Sequence, residues 1–247
     1  MEEFTKENVI KNIATDQKEI LYNIMQLYNN GEAFDCDITA STLKFYEQKA
    51  GDKYNVPEPR LLFDVYPQQE KIGKITPFEK LPLEDGSLHS IVVDLPFVIS
   101  PKTCPSMSND NPDSCMIAKR FASFYPAQEL FDTIYWNLKE CYRVLDEGGI
   151  VVWKMQSTVS GGRQIWASPF SFMVAEKLGF YVIDEFVLEA KARLIATSKI
   201  KKQQHARKYT SQFFVFKKGD KNSKFNLFNI MEKCENGVYE GKVYELK

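Results

Sequence analysis

One charge-free run constrains the fold more than any other stretch: Ile91-Val92-Val93, ending in Asp94-Leu95-Pro96-Phe97. β-Branched residues without polar alternation suit a strand buried on both faces of a parallel sheet. Ligands of open α/β sheets bind beyond the C-terminal ends of such strands. The tetrapeptide is therefore the first candidate site. Asp94 can accept a hydrogen bond from an amino group, the Leu95 carbonyl can accept a second, and Phe97 can stack on a flat base. Pro96 stiffens the backbone between them and carries no N–H of its own. A bare D-x-P-F tetrapeptide is more often a strand end where an aspartate opens a turn, so its surroundings decide.

Upstream, Leu81-Pro82-Leu83 and the polar run Glu84 to Ser87 form a turn into the strand. Downstream, Leu130, Ile134, Leu138, Cys141, Tyr142 and Leu145 share one face of a helix expected over Ala127 to Leu145. Asp146-Glu147-Gly148-Gly149 is read as a turn and Ile150 to Met155 as a second buried strand. Nearer the N-terminus, apolar spacings of three and four predict a helix over Glu7 to Tyr28, stopped by Asn29-Asn30-Gly31. Ala33 to Ile38 is a short strand carrying Asp35 and Asp37, followed by a polar turn and short helix over Thr39 to Tyr46. Lys49 to Arg60 is a connection, and Leu61 to Val65 a strand with Asp64 near its end. Further on come a helix from Pro169 to Leu178, closed by Gly179, and strands at Tyr181 to Leu188 and Gln212 to Phe216.

This succession resembles the class I S-adenosylmethionine-dependent methyltransferases, specifically the amino-methylating group with an [Asp/Asn/Ser]-Pro-Pro-[Tyr/Phe/Trp] motif. ECYRVLDEGGIVVWKMQ is the phrase most characteristic of it, and QQHARKYTSQFFVFKK resembles a strand-end motif of phage and bacterial adenine methyltransferase-like proteins. The match in element order covers about Phe34 to Lys217. The resemblance implies an α/β, Rossmann-like fold: a mostly parallel sheet with a terminal antiparallel strand pair, in one domain over residues 1–217. It implies S-adenosylmethionine as cofactor, with Asp35 and Asp37 near the first loop, Asp64 on the ribose hydroxyls, and Thr76 and Pro77 around the adenine. Asp94, Leu95, Pro96 and Phe97 are then the catalytic clamp. Two departures stand out. Leu95 occupies the place of the first proline, and the first loop, DITAST, has no glycine to let the backbone approach the cofactor closely.

Ser100 to Tyr125 is long, polar and aperiodic, and is expected to act as a lid or target-recognition loop. Gln156 to Gly162 is read as a small polar loop. Lys191 to Tyr209 carries Lys191, Arg193, Lys199, Lys201, Lys202, Arg207 and Lys208 without an acid. In a chain of net charge −1 that is a local bias suited to an anionic polymer. Residues 218–247 form a charged extension in which Asn236-Gly237 suggests a hairpin.

The five cysteines are scattered without CxxC pairs, so no structural metal is expected, and reduced thiols point to a cytoplasmic setting. No apolar run is long enough for a signal peptide or a bilayer span. The resemblance implies a methyltransferase acting on an exocyclic amine of a nucleic-acid base, foremost N6 of adenine in DNA. RNA guanine N2 or adenine N6 is the enzymatic alternative, because a D-L-P-F form also resembles the RNA guanine-N2 enzymes. A lapsed methyltransferase fold that only binds is the alternative outside catalysis, favoured by the missing glycines.

Overall fold

Side chains along the central strands point alternately into two separate cores, and this alternation builds the layers of the molecule. The computed structural model describes residues 9–99, 123–191, 203, 205–219 and 226–235. In chain order the first elements are β1 (Ile13–Ala14), α1 (Gln17–Tyr28), β2 (Cys36–Asp37), β3 (Leu61–Asp64) and β4 (Gly73–Lys74). Next come β5 (Leu88–Asp94), β6 (Val98–Ile99), β7 (Ser123–Phe124), α2 (Ala127–Val144) and β8 (Leu145–Met155). The remainder are β9 (Thr158–Ser160), β10 (Arg163–Ile165), α3 (Ala167–Leu178), β11 (Phe180–Glu189), β12 (Thr210–Lys218) and α4 (Leu227–Glu235).

The main sheet runs β4-β3-β2-β5-β8-β12-β11-β1. Neighbours are parallel throughout except at β12, which is antiparallel to both β8 and β11. The order reverses between β2 and β5, which makes that junction the switch point of a doubly wound sheet. This is the class I methyltransferase arrangement expected from the sequence. Ile91, Val93, Val151, Trp153, Phe214 and Phe216 enter the core under α2 and α3, while Val92, Ile150, Val152, Phe213 and Val215 enter the core under α1. Ile91, Val93 and Trp153 are wholly buried. Each such side chain contributes about 1.5–3 kcal/mol relative to leaving it exposed.

The helices end where local chemistry stops them. α1 is capped at its start by Asp16, whose carboxylate accepts the Lys18 N–H. α3 ends at Gly179, whose φ of 100° is a left-handed closure that a side chain would strain. A Cβ there would also press on the Tyr142 hydroxyl, 3.2 Å away.

Four expectations change. The helix expected from Glu7 begins at Gln17 instead, and Ile13–Ala14 pairs parallel with Val187 and Leu188 of β11. Ile10 and Ile13 fit the helical spacing, but at Ile13 a sheet edge offered the backbone a better partner. Thr39 to Tyr46 is a succession of turns without a helix. The turn expected at Asp146–Gly149 is a bulge inside β8, where pairing jumps from Leu88–Leu145 to Ser90–Ile150. The Gln156–Gly162 loop is largely a small β9–β10 hairpin. The lid expected over 100–125 lies almost wholly outside the described residues. So do residues 236–247 of the expected hairpin; the described part of that extension is α4. Among the described residues, no helix is long and apolar enough to cross a membrane.

Candidate active site at the switch point

Strand register sets which acids can meet. Cys36 pairs with Leu61 and Ile91, and Asp37 with Leu62 and Val92, so Thr39 reaches the level of Asp94. The Asp94 N–H donates to Thr39 Oγ1 at 2.8 Å, and that hydroxyl donates to Asp37 Oδ1 at 3.0 Å. Asp37 Oδ1 also accepts the Thr39 N–H at 2.7 Å, while Oδ2 accepts the Tyr46 hydroxyl at 2.7 Å. On the other flank Asp94 lies opposite Lys154 of β8, whose ammonium donates to Asp94 Oδ2 at 2.7 Å. A continuous polar chain, Tyr46–Asp37–Thr39–Asp94–Lys154, therefore ties the C-terminal ends of β2, β5 and β8.

Burial decides the charges along this chain. Asp37 is 1% exposed. Desolvation pushes its carboxyl up to about 7, against the opposing pull of Tyr46 and Thr39. Burial, then the neighbouring Asp37, raises the Tyr46 phenol well above its ordinary range, so it remains a donor. The Lys154 ammonium lies 5.1 Å from the Phe45 ring centre and 5.7 Å from that of Phe213, rings that favour a cation in a poorly hydrated place. Among the described residues, no donor meets the second oxygen of Asp94. The corner thus presents one open carboxylate oxygen, oriented from one side by Lys154 and from the backbone by Thr39.

The glycine-free first turn keeps left-handed geometry without glycine. Ser41 has φ 46° and Leu43 φ 60°. Such conformations cost non-glycine residues of order 1–3 kcal/mol and persist only where the surroundings fix them. Here Asp64 Oδ2 accepts the Ser41 N–H at 2.8 Å, the Phe63 carbonyl accepts that of Ala40 at 3.0 Å, and Leu43 is buried. Asp64 Oδ1 accepts the Tyr66 N–H at 2.7 Å. Asp64 stands at the same sheet edge as Asp94 and also props up the first turn.

The other expected site residues divide. Leu95 is buried, whereas Pro96 and Phe97 are half-buried, with Phe97 packed against the core under α2 and α3. Thr76 and Pro77 follow β4 at the same sheet edge and are exposed, as is Phe78 beside them. Asp35 does not join them. It precedes β2, and its carboxylate accepts the His89 and Ser90 N–H groups and Arg60 Nε at the opposite, strand-starting edge. Four residues of strand, about 13 Å, separate that level from Asp94. Burial opposes its charge, but those donors outweigh it and hold its carboxyl below the ordinary value. Asp35 is a structural clasp between β2 and β5.

Of the basic set, Lys191, Arg207 and Lys208 are described, and Arg193, Lys199, Lys201 and Lys202 lie outside the described residues. Glu189 pairs with Thr210 and Gln212 with Met155, so Lys191, Arg207 and Lys208 flank the same edge as Asp94. Sequence reasoning missed Thr39, Tyr46 and Lys154. Lys154 had a readable sign: a lone cation inside Ile150–Met155, a strand otherwise apolar, needs a buried partner.

The sheet order and the open carboxylate at the switch point define a class: a Rossmann-like α/β protein with an acid at its ligand-binding edge. Neither a family model nor a curated protein matches the chain. Solved structures similar to it include a protein of Thermus thermophilus described as a candidate DNA modification methylase, complexed with S-adenosyl-L-methionine. That pair shares 14% identity over 56% of this chain and 51% of the other, at TM-score 0.36. A SAM-dependent methyltransferase of Methanosarcina mazei shares 10% identity over 74% of this chain and 80% of the other, at TM-score 0.34. One of Thermotoga maritima, described as a candidate histamine N-methyltransferase, shares 15% over 81% and 92%, at TM-score 0.36. The chain spans about half the length of the Thermus protein. At such identities and scores, the fold assignment rests on the chain's own sheet order.

Proposed function

We propose that this chain is an S-adenosylmethionine-dependent methyltransferase acting on an exocyclic amine of a nucleic-acid base, foremost N6 of adenine in DNA. The observation that carries this reading is Asp94: a carboxylate at the switch-point edge with one oxygen held by Lys154 and, among the described residues, no donor on the other. An amine attacking a methyl group must keep its nitrogen lone pair free, so the site should accept its N–H bonds and offer it no donor. Asp94 Oδ1 suits one N–H and the Leu95 carbonyl the second, while Phe97 stacks on the ring. Leu95 in place of a proline leaves that carbonyl available. Lys154 is engaged at Oδ2, which leaves Oδ1 to accept from the amine. As the nitrogen gains its new bond, Asp94 Oδ1 is placed to receive the displaced proton.

The residues fit the cofactor unevenly. Each Asp64 oxygen accepts one backbone N–H and retains a lone pair for a ribose hydroxyl. Thr76, Pro77 and Phe78 form an exposed wall beside it for the adenine. In the first turn, the N–H groups of Thr39, Ala40, Ser41 and Leu43 are all taken by the chain itself. Those four amides are therefore not available to the methionine end. When bound, S-adenosylmethionine supplies the electrophilic methyl group.

That spent turn also supports a second reading, a fold that binds nucleic acid without catalysis. Calorimetry with S-adenosylmethionine and mass spectrometry of digested DNA after incubation separate the two. N6-methyladenine that forms with the wild type, and falls about 10²–10³-fold in Asp94→Ala, supports catalysis. Full activity in Asp94→Ala would remove the proposed role, N2-methylguanine from RNA would move the substrate, and absence of cofactor binding would favour the binding module.

A further inference from the structure

A second concavity lies across β8 from Asp94, on the other face of the sheet and at the same strand ends. It encloses about 400 Å³ between the start of α3 and the β11–β12 pair, the size of a small-molecule pocket. Its floor is apolar, with Phe172 and Phe214, which stack edge to face at 6.0 Å. At its mouth stands Trp166, 55% exposed, at the start of α3. The Lys208 ammonium lies 5.3 Å from the Trp166 ring centre.

Two polar groups converge on the same space with capacity to spare. Gln212 Oε1 accepts the Ser168 hydroxyl at 2.8 Å, which fixes the amide so that its NH2 is the free end. Among the described residues that NH2 has no partner, and neither does the Glu185 carboxylate. An exposed indole, an apolar floor, one free donor and one free acceptor match the two faces and the edge of a nucleobase. The adjacent Lys208 and exposed Arg207 match its phosphate. Glu185 inside the pocket disfavours an anion there, so the base belongs within and the phosphate at the mouth.

We infer that this pocket holds a second nucleobase of a single-stranded nucleic acid, a neighbour of the base presented to Asp94. The inference rests on the reading of the chain as a nucleic-acid methyltransferase and adds to it a site for a flanking nucleotide. Three adjacent strands, β5, β8 and β12, carry the two sites, whose strand positions are about 10 Å apart at ordinary strand spacing. That span is within reach of one strand of nucleic acid. Burial and the neighbouring Asp184 raise the Glu185 carboxyl above its ordinary value.

The test uses the full chain with fluorescein-labelled single-stranded 12-mers, intact or carrying one abasic position moved along the strand. Trp166→Ala is expected to weaken binding roughly 5- to 160-fold, the range for one stacked base, and Trp166→Phe to restore most of it. An abasic position next to the target should weaken the wild type but leave Trp166→Ala unaffected. Wild-type indole fluorescence should be quenched by the oligonucleotide, and Trp166→Phe should abolish the quench. Unchanged melting confirms that the variants fold. Equal affinity of Trp166→Ala and wild type overturns the pocket alone and leaves the methyltransferase reading standing. A wild type that binds S-adenosylmethionine but no oligonucleotide overturns the pocket and the nucleic-acid substrate together. Quenching by an aromatic amino-acid amide but not by deoxyadenosine monophosphate would assign the pocket to a protein partner and overturn the inference.

Discussion

Asp37 is a carboxyl group whose ionisation the fold resists. Its folded value of about 7 stands above the ordinary 3.8, so between about pH 4 and 7 the native state holds a proton that the unfolded chain has released. Stability contributed by this group is therefore full below pH 4, falls as pH rises to 7, and is flat above. Each pH unit between the two values is worth about 1.4 kcal/mol, which makes a loss of a few kcal/mol the expected scale. Asp37→Asn should be less stable at low pH, because one acceptor is lost, yet should lack the decline between pH 4 and 7. Urea titrations across that window check this, and parallel pH profiles for the two proteins would refute it. At Lys154 the expectation concerns pairing. Lys154→Met should cost about 1–3 kcal/mol, less than a fully buried pair because both groups retain some solvent access. Adding Asp94→Asn to Lys154→Met should then cost little more, a coupling that a double-mutant cycle measures.

At the scale of elements, the turn before β5 is held by α2 as well as by its own residues. Glu140, 4% exposed, accepts the Leu81 N–H at 2.9 Å and pairs with Arg143 at 2.7 Å. Arg143 donates in turn to the carbonyls of Leu81 and Leu83 and to Asp85. Arg143→Ala leaves a buried carboxylate without its cation and should destabilise the protein by about 3 kcal/mol, with Glu140→Gln on top recovering part of the loss in chemical denaturation. Of this clamp the sequence showed only the turn. Legibility follows the range of the forces involved. β5, β8 and α2 could be read because burial on both faces and a 3.6-residue stripe are written in neighbouring residues. The Asp35–Asp37 distinction was not readable: two acids two residues apart look alike until strand register sends one to each edge of the sheet. Ile13 was misread for a related reason, since its partner lies on β11, far along the chain. The Asp94–Lys154 pair likewise depends on β5 lying beside β8 in one register.

For the whole molecule, a net charge of −1 conceals an uneven distribution. Lys191, Arg207 and Lys208 border the edge that carries Asp94. Polymer binding should therefore depend strongly on salt although the protein is nearly neutral. Replacing Lys191, Arg207 and Lys208 with glutamine should flatten the plot of log affinity against log salt by roughly 0.7 for each phosphate of a single strand that is no longer neutralised. Fluorescence anisotropy between 50 and 200 mM salt, roughly the range over which phosphate contacts are screened, tests this. An unchanged slope would show that these cations face only solvent.

The pairing of Ile13–Ala14 with Val187–Leu188 has a consequence in time. A ribosome makes the N-terminal strand first, but its place in the sheet is beside β11. Ile13 and Val187 stand 174 positions apart, a stretch that at ordinary elongation rates takes roughly 10–35 s to synthesise. For that interval the first strand waits without its neighbour, and this edge of the sheet is closed only once β11 has emerged. In a nascent chain arrested before Phe180, protease should cut freely between Val9 and Asp16, and release of a chain extended past Glu189 should bring protection.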